Sequence, residues 1–186
     1  MVILPNSRPQ WTLDRLKSEL AKRKVSARTP VFVVGVRGYY RDSMGDAGKN
    51  DIAMYDDAFF VVSPRGMWSF NGNTDPSVSK TAVATLKTGI WRYKKGFHGV
   101  TFHRPGYPYP AFVQGEEVAV TRYGRKGDFV GYFGINIHRG GTSKTSSLGC
   151  QTLPPEQWGG FYSRICEELK ASGRTDFDYV LIEGQG

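Results

Sequence analysis

The residues of this chain best equipped for chemistry are an imidazole and a thiol at the two ends of a loop of small residues. Gly134-Ile135-Asn136-Ile137-His138-Arg139-Gly140-Gly141 leads into Ser146-Ser147-Leu148-Gly149-Cys150-Gln151-Thr152. A thiol with an ordinary pKa of about 8.5 is only partly ionised at neutral pH, so a nucleophilic cysteine needs a histidine or backbone N–H groups beside it. Cys150 and His138 are therefore the candidate nucleophile and base, with Gly149 allowing the backbone to bend around them.

Strands must deliver those groups. Phe129 to His138 reads as one long strand with the histidine at its end, and Pro154-Pro155-Glu156 opens a helix. Trp158, Phe161, Ile165 and Leu169 form the apolar stripe of that helix, Gly173 ends it, and Tyr179 to Ile182 is a closing strand. Near the N-terminus Thr12 caps a second helix carrying Leu13, Leu16 and Leu20, which ends near Lys22-Arg23-Lys24. Val31 to Val36 and Ala58 to Val62 are continuous β-branched and aromatic runs, the pattern of strands covered on both faces. Further strands are expected at Met67 to Phe70, Thr81 to Leu86, Gly89 to Tyr93, Ala111 to Val113 and Glu117 to Tyr123. Lys94 to Pro110, with His98, His103, Tyr107 and Tyr109, reads as a loop that either lines a groove or merely packs. Arg41 to Asp51 reads as a polar loop able to overhang a cleft, its aspartates serving turns rather than a cation.

The 186 residues fit one catalytic domain, 1–186, with 1–29 as an N-terminal helical segment packed on it. The expected class is α+β and β-rich, a mixed sandwich or barrel with a helix near each end. No apolar run reaches the length of a membrane span, and Met1-Val2-Ile3-Leu4-Pro5 lacks the charge and length of a secretory signal, so cytoplasmic synthesis is expected. Two cysteines do not make a disulfide framework: Cys150 is expected to be a free thiol, and Cys166 a helix residue with an ordinary core role. The net charge of +8 suits anionic partners such as an envelope surface or nucleic acid.

The His138–Cys150 block resembles the active-site signature of the L,D-transpeptidase (YkuD-like) family, in which a strand ending in His-Gly-Thr precedes Ser-His-Gly-Cys and an Arg-containing tail. His138, Ser147, Gly149 and Cys150 match. Arg139-Gly140-Gly141 stands where the family has Gly-Thr, Leu148 replaces the second histidine, and Gln151-Thr152 replaces the tail. The resemblance covers about Tyr132 to Leu153; Phe70 to Pro76 and the His138 block also resemble bacteriophage proteins.

The resemblance implies an L,D-transpeptidase-like fold and a thioester on Cys150 formed from a peptidoglycan stem peptide, with His138 as base. It implies that Ser147 orients His138 or the loop and that the backbone at Gly149 and Cys150 receives the oxyanion. Arg139 is the candidate carboxylate clamp, with Gly140 and Gln151 beside it in the substrate-binding set. No cofactor is implied. The altered tail favours hydrolysis over cross-linking and so a phage-type lysin, made in the cytoplasm and acting on the wall after release.

Other classes fare worse. A zinc enzyme lacks His-Glu-x-x-His and Cys-x-x-Cys spacing, so no metal ligands are assigned. A glycan-cleaving pair at Glu116 and Glu117 fails because neighbours on a strand face opposite ways. A non-catalytic wall- or nucleic-acid-binding module would use only charge and aromatics; nucleic acid is the less favoured partner.

Overall fold

The computed structural model describes residues 3–184; Met1, Val2, Gln185 and Gly186, which complete the single-domain span read from the sequence, lie outside the described residues. The two continuous apolar runs are β1 (Phe32–Arg37) and β2 (Asp57–Ser63), paired antiparallel as interior strands toward one end of an eight-stranded sheet. Alternate residues serve opposite faces. Val33, Phe59 and Val61 join one buried cluster, whereas Val34, Val36, Ala58, Phe60 and Val62 join another.

Each cluster is closed by one of the expected helices. The first, α1 (Leu13–Lys22), begins at Thr12, whose hydroxyl accepts from the Arg15 N–H, and buries Leu16 and Leu20 in the second cluster. The other, α2 (Pro155–Ala171), brings Trp158, Phe161, Ile165 and Leu169 into the first. Phe161 packs edge-on against both Phe59 and Phe70. Removing so large a buried ring typically costs about 3–5 kcal/mol.

The remaining strands are β3 (Gly66–Gly72), β4 (Ala84–Leu86), β5 (Gly89–His98), β6 (Tyr109–Gln114), β7 (Val118–Arg122), β8 (Phe129–Gly131), β9 (Ile137–Arg139), β10 (Gln151–Leu153) and β11 (Asp176–Glu183). The large sheet runs β10-β9-β6-β5-β11-β1-β2-β3. Its edges meet where Asn73, just after β3, exchanges two 2.8 Å backbone hydrogen bonds with Thr152 of β10. The sheet is thus a nearly closed barrel, and β4-β7-β8 form a small second sheet. The α+β, strand-rich class with a helix near each end is borne out. Among the described residues no helix is long and apolar enough to cross a membrane.

Two expectations need correction. Lys94 to Pro110 is not all loop: β5 continues to His98, pairs residue for residue with β6, and sets His98 opposite Tyr109. Only the tip, residues 99–108, turns back, and the many glycines, prolines and aromatics of the tract masked the strand ends. Phe129 to His138 is not one strand either. The backbone breaks between β8 and β9, with Gly134 in the left-handed region (φ +69°). In the gap the Gln114 side-chain oxygen accepts from the N–H groups of Phe133 at 3.0 Å and Ile135 at 2.9 Å. A buried amide side chain there replaces a neighbouring strand.

Candidate active site

Parallel pairing of β9 with β10 sets His138 beside Thr152 and Ile137 beside Gln151. One residue before β10, Cys150 lies next to Asn136, whose N–H points at the sulfur at 3.4 Å. The imidazole and the thiol thus share the end of one parallel pair. The chain between them is tied down: Tyr55 Oη donates to the Gly141 carbonyl at 2.7 Å, and Ser77 Oγ accepts from the Ser147 N–H at 2.7 Å.

Gly149 has a backbone requirement. Its φ is +125°, and a Cβ there would stand 2.5 Å from the Ala84 carbonyl oxygen of β4. Close approach of the loop to β4 therefore needs glycine at this position, and that approach sets the place of Cys150.

A third group, not assigned from sequence, completes the cluster. His98, at the end of β5, stacks on His138 with ring centroids 3.8 Å apart and planes 15° from parallel. One nitrogen of each imidazole and the Cys150 sulfur all lie within 4.8 Å of one another. Nδ1 of His138 is 2.7 Å from the Arg139 carbonyl oxygen and 2.9 Å from Tyr109 Oη. A proton on Nδ1 donates to that carbonyl, which leaves Nε2 as the basic nitrogen.

The three side chains line a groove of about 540 Å³. Cys150 is half-buried and opens onto it, as do Tyr107, Tyr109, Gly140 and Leu148. Arg139 and Arg104 also line it, held by aromatic faces: Arg139 Cζ sits 5.1 Å from the Tyr109 ring centroid and Arg104 Cζ 4.4 Å from that of Tyr107. The groove-lining alternative for the aromatic tract therefore describes His98, Tyr107 and Tyr109, whereas His103 stands outside this groove.

Burial sets the charge state. It pushes the Cys150 thiol up to about 11, while the Asn136 N–H pulls the other way. Burial, then the neighbouring His98, lowers His138 to about 3. Near neutral pH the resting pair is a thiol beside a neutral imidazole, not a thiolate–imidazolium pair.

The other residues named from sequence have different roles. Ser147 does not reach His138: its hydroxyl donates to the Cys150 carbonyl at 2.6 Å and accepts from the Gly149 N–H at 3.0 Å, so it shapes the loop. Because that N–H is already engaged, Gly149 is not a free oxyanion donor; the Cys150 N–H is the one left to consider. Gln151 is not in the groove. It is fully buried, its amide bonded to Tyr179, Thr74 and the Gly149 carbonyl. Its place directly after Cys150, at the start of β10, carried the signal, since consecutive residues of an extended chain face opposite ways. Glu116 is held by Arg28 and by the Arg92 N–H, away from the groove. The Arg41 to Asp51 loop does not overhang this site: Asp46 and Asp51 close its own turn, and it borders a separate hollow with residues 4–7.

His98 had one sequence signal, a histidine at the end of an alternating tract, but nothing local announced which strand would lie beside β9. Compared with protein-family models the chain matches none, and a search of curated proteins likewise finds no match.

Proposed function

We propose that this chain is a cysteine-dependent peptidase of peptidoglycan stem peptides, with Cys150 as nucleophile and His138 as base, passing the acyl group to water. The observation that carries it is the meeting of the sulfur with imidazole nitrogens within 4.8 Å at the floor of an open groove. The signature resemblance supplies the substrate class.

The chemistry follows from the resting charge state. As sulfur attacks the peptide carbonyl, its proton passes to Nε2 of His138, whose Nδ1–H is steadied by the Arg139 carbonyl. The oxyanion forms where the Cys150 N–H can donate to it. The C–N bond breaks, the amine leaves with the proton from His138, and a thioester remains on Cys150. Water, deprotonated by the same nitrogen, attacks the thioester, and the acid is released as the thiol is restored. Arg139 and Arg104 present forked donors to substrate carboxylates from the groove wall. The +8 charge favours approach to an anionic envelope, in keeping with a lysin that reaches the wall after release from the cytoplasm.

Purified sacculi digested with wild type, Cys150→Ala and His138→Ala, and read by mass spectrometry, test this. Shortened stem peptides from the wild type alone are expected; new dimers would mean transfer to an amine instead. Equal cleavage by Cys150→Ala, or new reducing sugar ends, would overturn it.

A further inference from the structure

His98 does more in this cluster than a single thiol–imidazole pair requires. Two imidazoles and a thiol offer three nitrogen and sulfur donors within 4.8 Å of one another, beside an open groove. This is the donor set that borderline-soft divalent cations select, with the groove side left for a fourth ligand. Ligating histidines are ordinarily held through their other ring nitrogen. Both are held that way here: Nδ1 of His138 by the Arg139 carbonyl and Tyr109, and Nδ1 of His98 by the Asn136 side-chain amide at 3.1 Å. With the amide oxygen turned to the ring, the His98 Nδ1–H donates to it and Nε2 keeps its lone pair.

We propose that His98, His138 and Cys150 form a binding site for a borderline-soft divalent cation of the zinc class, and that its occupancy switches the thiol off. The metal half stands on the cluster itself; the switch half rests on the proposed thiol chemistry. On binding, the S–H bond breaks, its proton goes to solvent, and a sulfur–metal bond forms, while Nε2 of each ring gives its lone pair to the ion. Sulfur and base are then both occupied, and neither attack nor proton transfer proceeds.

Metal–sulfur and metal–nitrogen bonds of about 2.3 and 2.0–2.1 Å put neighbouring donors about 3.5 Å apart. The stacked rings must therefore fan apart and turn their free edges toward the sulfur. Of the two rings His98 is the less confined, although the Asn136 amide and the Tyr107 and Tyr109 rings must shift with it. It is only half-buried, ends its strand, and precedes Gly99 in the left-handed region (φ +73°).

The test uses the full chain, stripped with a chelator and then freed of it. Equilibrium dialysis against zinc chloride is expected to show one zinc per chain. Affinity should fall at least about tenfold in His98→Ala and in Cys150→Ala, since even supporting-shell losses cost about 10–100-fold. His103→Ala serves as the control and should bind like wild type. Cobalt substitution gives a second readout, a thiolate-to-cobalt absorption band that Cys150→Ala removes, and circular dichroism reports whether each variant is folded. With sacculi, one equivalent of zinc should abolish turnover and chelator should restore it.

Absence of stoichiometric zinc, or undiminished binding by folded His98→Ala, overturns the site. Turnover that appears only with zinc overturns the switch and the thiol chemistry together. Stoichiometric binding through these residues by a chain inert toward sacculi in every metal state supports the site and overturns the proposed function.

Discussion

At Cys150 the decisive quantity is the protonation state of the sulfur. With burial raising the thiol to about 11 and lowering His138 to about 3, alkylation of Cys150 by iodoacetamide should be slow at pH 7. Its rate should climb close to tenfold per pH unit up to about pH 10, because the thiolate is the reacting form. A rate already level between pH 5 and 8 would instead reveal a preformed ion pair. Gly149 gives a second expectation at this scale. Gly149→Ala sets a methyl against the Ala84 carbonyl at a φ of +125°, so it should lower stability by about 1–3 kcal/mol and cut turnover further by moving Cys150. Thermal melting and sacculus digestion read the two effects; an unchanged melt would remove the proposed steric constraint. The sequence made Cys150, His138 and Gly149 legible because they are local, within one loop. It left Ser147 between His138 and the loop, of which the structure gives the loop, and it misassigned Gln151 because its partner, Tyr179, is fixed only by how strands meet.

Among the elements, the break between β8 and β9 matters most, since it frees Gly134 and Ile135 to line the groove and the backbone of Gly134 and Asn136 to contact the sulfur. Gln114 holds that break open with two accepted and two donated hydrogen bonds. Gln114→Leu should therefore cost about 2–4 kcal/mol, because buried N–H groups left without partners lose about 1–3 kcal/mol each. Urea unfolding checks the figure, and a loss below about 0.5 kcal/mol would contradict it. The continuous apolar runs of β1 and β2 were legible because both sheet faces are covered, each by one helix. The β5–β6 ends and the β8–β9 break were not, since alternation says nothing about a side chain that replaces a neighbouring strand. His98 entered the site through that hidden extension of β5.

The whole molecule closes its barrel beside a buried polar region. There Arg37 bonds Thr74 and the Leu86 carbonyl and pairs with Asp75, while Asp57 accepts from the Gly38 and Thr74 N–H groups. Burial raises Asp56 to about 7 from 3.8, and Asp57 is raised as well, by burial and then by Asp56. A carboxylate raised on folding gives stability that is full below its unfolded pKa and lost as pH rises through its folded one. Stability from Asp56 should accordingly fall between about pH 4 and 7. His138 works in the opposite sense: lowered from 6.5 to about 3, it contributes above 6.5 and loses that contribution as pH falls toward 3. Urea midpoints at pH 5, 6.5 and 8 should show Asp56→Asn losing less stability than wild type as pH rises. A variant as pH-sensitive as the wild type would contradict the buried neutral carboxyl. The apolar runs made the strand-rich class legible, but the pairing of Asn73 with Thr152 that closes the barrel joins residues too distant in sequence for any local pattern to mark.

The proposed thiol chemistry is open to direct capture. Wild type mixed with a stem tetrapeptide, quenched in acid and weighed intact should carry one acyl group, mapped by proteolysis to Cys150 and absent from Cys150→Ala. Stem peptide turned over with no adduct at position 150, and equally well by Cys150→Ala, would contradict a nucleophilic sulfur in this groove.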